Sequence, residues 1–325
     1  MSKLSTLRNK TPFQYLFRIR DWMMLKLGLF NFKKTIKHNL FYLRIIIEDW
    51  RKKRKIEQQI KLLPKNKVYQ DLKDGDVVVS VTSYGKRVSN SLPYMLYSLL
   101  RQTVLPPKIV VYLDDDNWSN ENLPWTLKCL QETGIDFRYC KDIRSYKKLI
   151  PALIDFDKHP IITVDDDLYY NEHLVEWLLD AYQLSDKRTV IGTIATKATI
   201  EGNMYLPYSR WDTNSTTDGE LCLIGCGGIL YPPSVFDAEI LKDDLFMSLA
   251  PTADDLWFWA MEKRAGLRTT LTEIHGQELH MAVNRQNVYF PAKNPDNLYY
   301  INELMDNKND VQLQKLIDQY NLQPT

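Results

Sequence analysis

Between residues 76 and 179 the chain alternates two kinds of hydrophobic pattern. Short, mainly apolar runs occur at 76–81, 108–113 and 160–164, and an apolar–polar alternation at 135–139, each bounded by polar or turn-forming residues. Runs of four to six such residues, rich in Val and Ile, read as buried strands. Between them lie 92–102, 124–133 and 142–153, and after the last strand 172–179, where apolar residues recur at helical spacing. Pro106-Pro107 stops the first of these helices, since proline cannot continue one. A β-α-β-α-β-α-β series predicts a parallel, doubly wound sheet with helices on both faces. Further on the pattern loosens. Residues 190–193 read as a strand, 205–220 as turn-rich, and 221–233 as an apolar segment interrupted by Gly225, Gly227 and Gly228. Such glycines mark a bend where backbone approaches a ligand closely. Residues 251–262 form an aromatic helix that opens with Asp254-Asp255.

The polar residues that interrupt this pattern carry the candidate chemistry. The strand at 160–164 runs directly into Asp165-Asp166-Asp167, and the strand at 108–113 into Asp114-Asp115-Asp116. Adjacent carboxylates repel, and Asp is a poor strand former. A divalent cation would relieve the repulsion, and oxygen ligands at alternate positions, here Asp165 and Asp167, suit Mg²⁺ or Mn²⁺ that keeps further bonds for phosphates. The competing reading is a solvated acidic turn that caps the next helix. In an open α/β sheet ligands bind at the carboxyl ends of the strands. Those ends carry Thr82-Ser83-Tyr84, Asp114 to Asp116 and Asp165 to Asp167, so the polar groups converge where the fold has its crevice.

Composition changes the picture in one respect. The 325 residues carry a net charge of only +1, with 44% hydrophobic residues, enough for a large core. The charge is unevenly spread, however: residues 1–67 hold 18 Lys+Arg against 4 Asp+Glu, leaving 24 against 37 in the remainder. A basic arm of two helical segments, 13–27 and 40–47 with the cluster 51–55 behind, precedes an acidic body. Bulky apolar residues beside dense positive charge are what an interfacial helix on anionic lipid needs. A helical hairpin packed on its own domain or on a second subunit is the alternative. Nucleic acid is not expected as a partner, because the arm is too apolar for a phosphate-binding tail. Residues 62–67 read as a linker. Charges break every apolar run before the length of a secretory leader or a membrane span, so neither is expected. The four cysteines, Cys129, Cys140, Cys222 and Cys226, have no zinc-site spacing and read as reduced thiols of a cytosolic protein.

Taken together, a first strand ending near Ser83-Tyr84, a second ending at Asp114, a strand ending in Asp165-x-Asp167 and a later Asp254-Asp255 opening a helix resemble the GT-A glycosyltransferases of the broad family-2 type. The resemblance covers about residues 76–285 and not the arm. It implies a GT-A fold at 68–325, with a donor half about 76–170, an acceptor half about 190–290 and a C-terminal helical tail about 298–325. It further implies that Thr82, Ser83 and Tyr84 line the nucleotide pocket and that Asp114 meets base or ribose. Arg144 and Lys148 approach the diphosphate. Asp165 contacts ribose, Asp166 belongs to the donor-binding set, and Asp167 (with Asp165) meets the Mn²⁺ or Mg²⁺. Of the late acidic pair Asp255 is expected as the base, although Asp254 stands where the family usually carries Glu. His275 or His280 would supply a further metal ligand. The implied activity is inverting transfer of a sugar from a nucleotide-sugar donor, a UDP-sugar first, to a glycan or lipid-linked acceptor in surface polysaccharide (capsule, O-antigen or lipooligosaccharide) assembly, at the inner face of the cell membrane. A nucleotidyltransferase, or a sugar-nucleotide-binding scaffold without turnover, are the rivals. Oligomerisation is left open. Trp211, Trp257 and Trp259 read as core residues, with stacking on sugar faces as the alternative.

Overall fold

A computed structural model describes residues 29–65, 72–213, 219–276, 279–289 and 307–324. The expected helix at 13–27, the linker residues 66 and 67, and positions 298–306 and 325 of the expected tail lie outside these. The chain divides into two units after Arg51, inside the helix α1 (Leu29–Ile60).

The body is organised on a seven-stranded sheet. Its strands are β1 (Val78–Thr82), β2 (Lys108–Asp114), β3 (Asp136–Cys140), β4 (Ile161–Val164), β5 (Thr189–Gly192), β6 (Ile229–Tyr231) and β7 (Arg268–Leu271). They lie in the spatial order β7-β5-β6-β4-β1-β2-β3. β1 pairs in parallel with β2 and β4, β2 with β3, and β5 with β7. Only β6 is reversed, antiparallel to both β4 and β5. The doubly wound, mostly parallel sheet expected from the sequence is therefore present. Its chain leaves β1 toward β2 on one side and reaches β4 on the other, which makes the gap above β1 and β4 a topological switch point.

Helices cover both faces. α2 (Leu92–Leu99) is buried throughout, and α3 (Trp125–Glu132) turns Leu127 and Leu130 inward. The stretch 142–153, which reads as one helix in the sequence, is split into a 3₁₀ turn at Arg144–Lys148 and α4 (Ile150–Asp155). Pro151 at the second position of α4 explains the restart, because its ring cannot sit inside a continuous helix. α5 (Leu174–Leu184) follows β4, and α6 (Asp254–Arg264) lies between β6 and β7 with Trp257 and Trp259 wholly enclosed. Trp211 is buried too and meets Trp259 edge to face at 5.3 Å, so all three tryptophans are core residues. α7 (Lys308–Tyr320) packs Leu313 and Leu316 into the same cluster, and its Gln312 accepts the Thr252 amide just ahead of α6. All four cysteines are unpaired.

Within the second unit, the last turns of α1 are bound to the body. Tyr94 and Tyr97 of α2 donate to Glu57 and Gln59, Ile56 and Ile60 are buried, and Lys53 donates to the Asn90 carbonyl and the Asn284 side chain. Part of the basic cluster 51–55 is thus committed internally. No helix among the described residues is long and apolar enough to cross a membrane.

Two positions make the fold testable. Gly228, which opens β6, has φ +90°, and an added Cβ would sit 3.1 Å from Leu174 of α5. Gly228→Ala should lower stability by about 1–3 kcal/mol, read by urea denaturation. Glu262 of α6 is 2% exposed with an unpartnered Oε2, and burial, helped by the Asp255 charge, pushes its carboxyl up to about 8. The folded chain holds a proton here that the unfolded chain releases near pH 4.5. Stability therefore falls as pH climbs from about 4.5 to about 8 and levels off above. Glu262→Gln should gain on the order of 3 kcal/mol over the native chain at pH 9 and nothing at pH 4.

Candidate functional site

The site is built where β1 and β4 end side by side. β4 terminates at Val164, and the next three residues turn their side chains differently. Asp166 points back into the protein, 4% exposed, where it accepts from Ser83 Oγ and from Arg87 Nη1 at 2.7 Å. Asp165 and Asp167 keep about a third of their side-chain surface exposed. Arg87 Nη1 also reaches Asp167 Oδ2 at 3.0 Å. Burial alone would lower the pKa of Arg87, but the Asp166 and Asp167 charges outweigh it and raise it. Burial pushes the Asp167 carboxyl up to about 6; Arg87 opposes this, and the Asp166 and Asp165 charges add to it.

From the other side of β4 comes Lys148, the last residue of the 3₁₀ turn. Its ammonium is 2.9 Å from Asp165 Oδ1, 2.9 Å from Asp254 Oδ2 and 3.9 Å from Asp255 Oδ1. Desolvation alone would lower the Lys148 pKa, yet these three carboxylates hold it well above the ordinary value. Asp254 is buried and also accepts from Ser145 Oγ at 2.9 Å. Asp255 is more open, and its Oδ1 accepts the Gly225 amide at 3.1 Å. Burial pushes Asp255 up to about 7; Lys148 pulls it down, and Asp254 and Asp165 push it further up.

The glycine-rich segment folds as a 3₁₀ turn (Gly225–Gly227) between a short strand, Leu221–Leu223, and β6. The Tyr170 hydroxyl fixes it by donating to the Cys226 carbonyl at 3.0 Å while accepting the Asp165 amide at 2.8 Å. His280 accepts the Asn171 amide on Nδ1, so its Nε2 carries the proton and donates to the Gly227 carbonyl at 3.1 Å. Burial pushes the His280 pKa down to about 4, keeping the ring neutral.

Of the residues singled out in the sequence, Ser83, Lys148, Asp165, Asp166, Asp167, Asp254 and Asp255 therefore meet in one cluster. Thr82 is anchored to the β2 backbone through the Tyr112 carbonyl, and Tyr84 is 39% exposed with the Arg87 guanidinium 5.2 Å from its ring. Asp114 is buried and accepts from the backbone and side-chain nitrogens of Asn117. Arg144, at φ +58°, donates to the Pro251 carbonyl rather than to the cluster. His280 has both ring nitrogens on backbone groups, whereas His275 gives Nδ1 to the Thr272 carbonyl, leaving Nε2 as its acceptor. Gly225 was expected only as part of a bend where backbone approaches a ligand, and Ser145, Arg87 and Tyr170 were not singled out as site residues. Of these three only Arg87, in a polar loop after a strand, carried a visible signal.

Among the described residues no three His, Cys, Asp or Glu side chains form a group able to hold a metal ion by themselves. The donor set still fits Mg²⁺ or Mn²⁺, which binds through one or two carboxylates plus substrate phosphates. Asp165 and Asp167 supply two partly exposed carboxylates at alternate positions, and five acids here face only two cations, Arg87 and Lys148. A cavity of about 280 Å³, lined by Leu153, Phe156, Ile161, Phe236 and Ile240, lies at the opposite end of β4 and has no part in this cluster.

No protein-family model matches the sequence, and neither does any curated protein. Similar solved structures belong to two enzyme classes. One is glucosyl-3-phosphoglycerate synthase from Mycobacterium tuberculosis in complex with Mn²⁺, UDP and glucosyl-3-phosphoglycerate (11% identity, 66% of this chain and 77% of that one, TM-score 0.39). A second is S. aureus TarS (16% identity, 75% and 71%, TM-score 0.39). A third is the 2-C-methyl-D-erythritol 4-phosphate cytidylyltransferase of Francisella tularensis (12% identity, 67% and 99%, TM-score 0.38). Overlaps of this size do not separate glycosyl transfer from nucleotidyl transfer. The geometry of the carboxylates has to do that.

Proposed function

We propose that the chain is a metal-dependent, inverting glycosyltransferase that moves a sugar from a nucleotide-sugar donor, a UDP-sugar first, to a hydroxyl of a glycan or lipid-linked acceptor in surface polysaccharide assembly. One observation carries the reading. Two partly exposed carboxylates, Asp165 and Asp167, stand at the switch point of the sheet, and a further one, Asp255, lies 3.9 Å from the Lys148 ammonium that also holds Asp165. That separates a donor end from an acceptor end within one crevice.

Asp165 and Asp167 are the residues that would hold Mn²⁺ or Mg²⁺. When bound, the ion stabilises the charge that develops on the departing diphosphate. Tyr84, exposed at the mouth beside β1, offers a ring to the nucleotide base. Asp255 takes the proton of the attacking hydroxyl. Its elevated pKa supports this role, since a base poised near 7 works best at neutral pH. Asp254, enclosed and held by Ser145 and Lys148, supports its neighbour instead. Cys226 is no alternative nucleophile, because burial and the surrounding carboxylates raise its thiol pKa. One base and no protein nucleophile imply a single displacement with inversion at the anomeric carbon. Nucleotidyl transfer is disfavoured because it would leave the Asp254-Asp255 pair, held at the same crevice through Lys148, without a role.

Titration calorimetry of the protein against UDP-, GDP-, CMP- and dTDP-sugars, with and without Mn²⁺ or Mg²⁺, tests the donor site. One nucleotide class should bind in a metal-dependent way, and Asp167→Ala should abolish that. Asp255→Asn should keep binding but lower turnover about 10²–10⁴-fold. Binding to no member would end the reading, and binding without turnover would favour the scaffold.

The same reading places the enzyme on an anionic membrane surface, at the inner face of the cell membrane. Leu40, Leu43, Ile47 and Trp50 recur at helical spacing on α1 and are 39–60% exposed, with Arg44 and Arg51 alongside. Apolar anchors beside basic side chains suit such a surface. Removing residues 1–67 would also strip the docked turn around Glu57 and Gln59, so point changes are the cleaner probe. Leu43→Glu with Ile47→Glu should abolish sedimentation with phosphatidylserine vesicles while leaving the thermal midpoint unchanged. Undiminished sedimentation would refute the membrane role of this face.

A further inference from the structure

The resemblance implies that Lys148 approaches the donor diphosphate, and its surroundings argue for a different task. An ammonium has three hydrogens to donate. Around Lys148 Nζ stand three carboxylates, from Asp165, Asp254 and Asp255, and the side chain is 5% exposed. The remaining approach is closed by backbone: a Cβ on Gly225 would lie 2.4 Å from Nζ and 2.9 Å from Asp255 Oδ1. Nζ donates to Asp165 Oδ1, the Asp254 and Asp255 carboxylates pair with it at 2.9 and 3.9 Å, and the enclosure leaves no open face for a phosphate.

We infer that Lys148 is a positioning residue for the proposed transfer, fixing Asp255 against the donor end of the crevice through its simultaneous grip on Asp165, Asp254 and Asp255, and that it does not touch the donor. This rests on the glycosyltransferase reading above.

Three segments distant in sequence end at this one atom: the tip of β4, the first turn of α6 and the glycine-rich turn. Asp255 is gripped from two sides, by Lys148 at 3.9 Å and by the Gly225 amide at 3.1 Å, both on Oδ1. In the transfer step the acceptor hydroxyl gives its proton to Asp255, and its oxygen forms a bond to the anomeric carbon. The bond from that carbon to the diphosphate oxygen breaks, and the diphosphate leaves with the electron pair. Lys148 gains and loses no proton in this step. Its contribution is geometric and electrostatic, holding the base carboxylate at a fixed distance from the strand tip that binds the donor. The absence of a side chain at Gly225 is part of the same device, since any larger residue would push the ammonium off its partners.

Lys148→Met in the full chain separates this from a diphosphate contact. The expected result is a nucleotide Kd in the presence of Mn²⁺ within about threefold of the native value and a kcat lowered about 100-fold or more. A loss of nucleotide affinity of tenfold or more with kcat at saturation intact would mean that Lys148 binds the donor, and would overturn the inference while leaving the glycosyltransferase reading in place. An unchanged kcat would overturn it as well. Should native protein itself neither bind nor turn over any nucleotide-sugar, the underlying reading fails instead, and the two failures are told apart. Removing a buried cation from between three acids can prevent folding, in which case Gly225→Ala decides. Gly225 is not among the glycines with positive φ, so its backbone accepts alanine. It keeps every charge and displaces only the ammonium and the base. Reduced kcat with unchanged nucleotide Kd supports the inference, and native kcat refutes it.

Discussion

Everything at the working edge of this protein follows from the repulsion among five carboxylates brought to the ends of two elements. Asp165, Asp166 and Asp167 arrive on β4, and Asp254 and Asp255 on the first turn of α6. Like charges a few ångströms apart cannot all remain ionised in a low-dielectric setting without compensation. The fold supplies two cations, the enclosed Lys148 and the partly exposed Arg87, one from each flank of β4. Arg87 comes from the turn after β1 and takes the side of Asp166 and Asp167. Lys148 comes from the turn before α4 and takes Asp165 and the α6 pair. A buried ion pair stabilises little by itself, but breaking one leaves an uncompensated charge, so these contacts fix where the ends of β1, β4 and α6 lie. Burial, with the neighbouring carboxylates adding to it, raises the pKa at both Asp167 and Asp255, one on each side of the crevice.

Neutral hydrogen bonds extend this pinning to the glycine-rich turn. Tyr170 joins the Asp165 amide to the Cys226 carbonyl, and His280 joins the Asn171 amide to the Gly227 carbonyl. Gly225 then presents its amide to Asp255. The Asp255 carboxylate is thus held by backbone that is itself held to the end of β4. That coupling explains why β6 runs against its neighbours. Entering the sheet from the glycine-rich turn, at the edge where β4 ends, it must travel the opposite way.

The donor side was legible in the sequence because parallel strands buried on both faces leave unbroken Val and Ile runs, and because acids at their ends contradict strand propensity. Strand boundaries agree within a residue or two at β2, β3 and β4. The reversed β6 was not legible: three residues, Ile229 to Tyr231, carry no directional signal, and its neighbours are far away in sequence. The 142–153 stretch reads as one helix since apolar residues recur through it, while Pro151 and the strained Arg144 divide it. Among site residues, acids announce themselves by clustering, but their partners do not. Lys148 looks like any basic residue near a phosphate site until its three acidic neighbours are seen, and Tyr170 and Gly225 act through groups that every sequence contains. His280 shows the converse, a rare residue type occupied wholly by structure.

The excess of negative charge also constrains what can enter the crevice. Two cations, both already paired with carboxylates, against five acids leave a cluster that repels a diphosphate. An anion entering here would therefore need a counter-ion to arrive with it, and Asp165 and Asp167 are the carboxylates that would hold a divalent one. A polyanion such as nucleic acid would meet the same repulsion over a longer surface with no comparable relief, which agrees with the acidic balance of the body. On the proposed reading, this local field favours a small, metal-chelating anion at the β4 tip and an uncharged hydroxyl at Asp255. Those two requirements together describe glycosyl transfer from a nucleotide-sugar better than transfer between two phosphates, where both partners would be anionic and the α6 carboxylates would have nothing to accept.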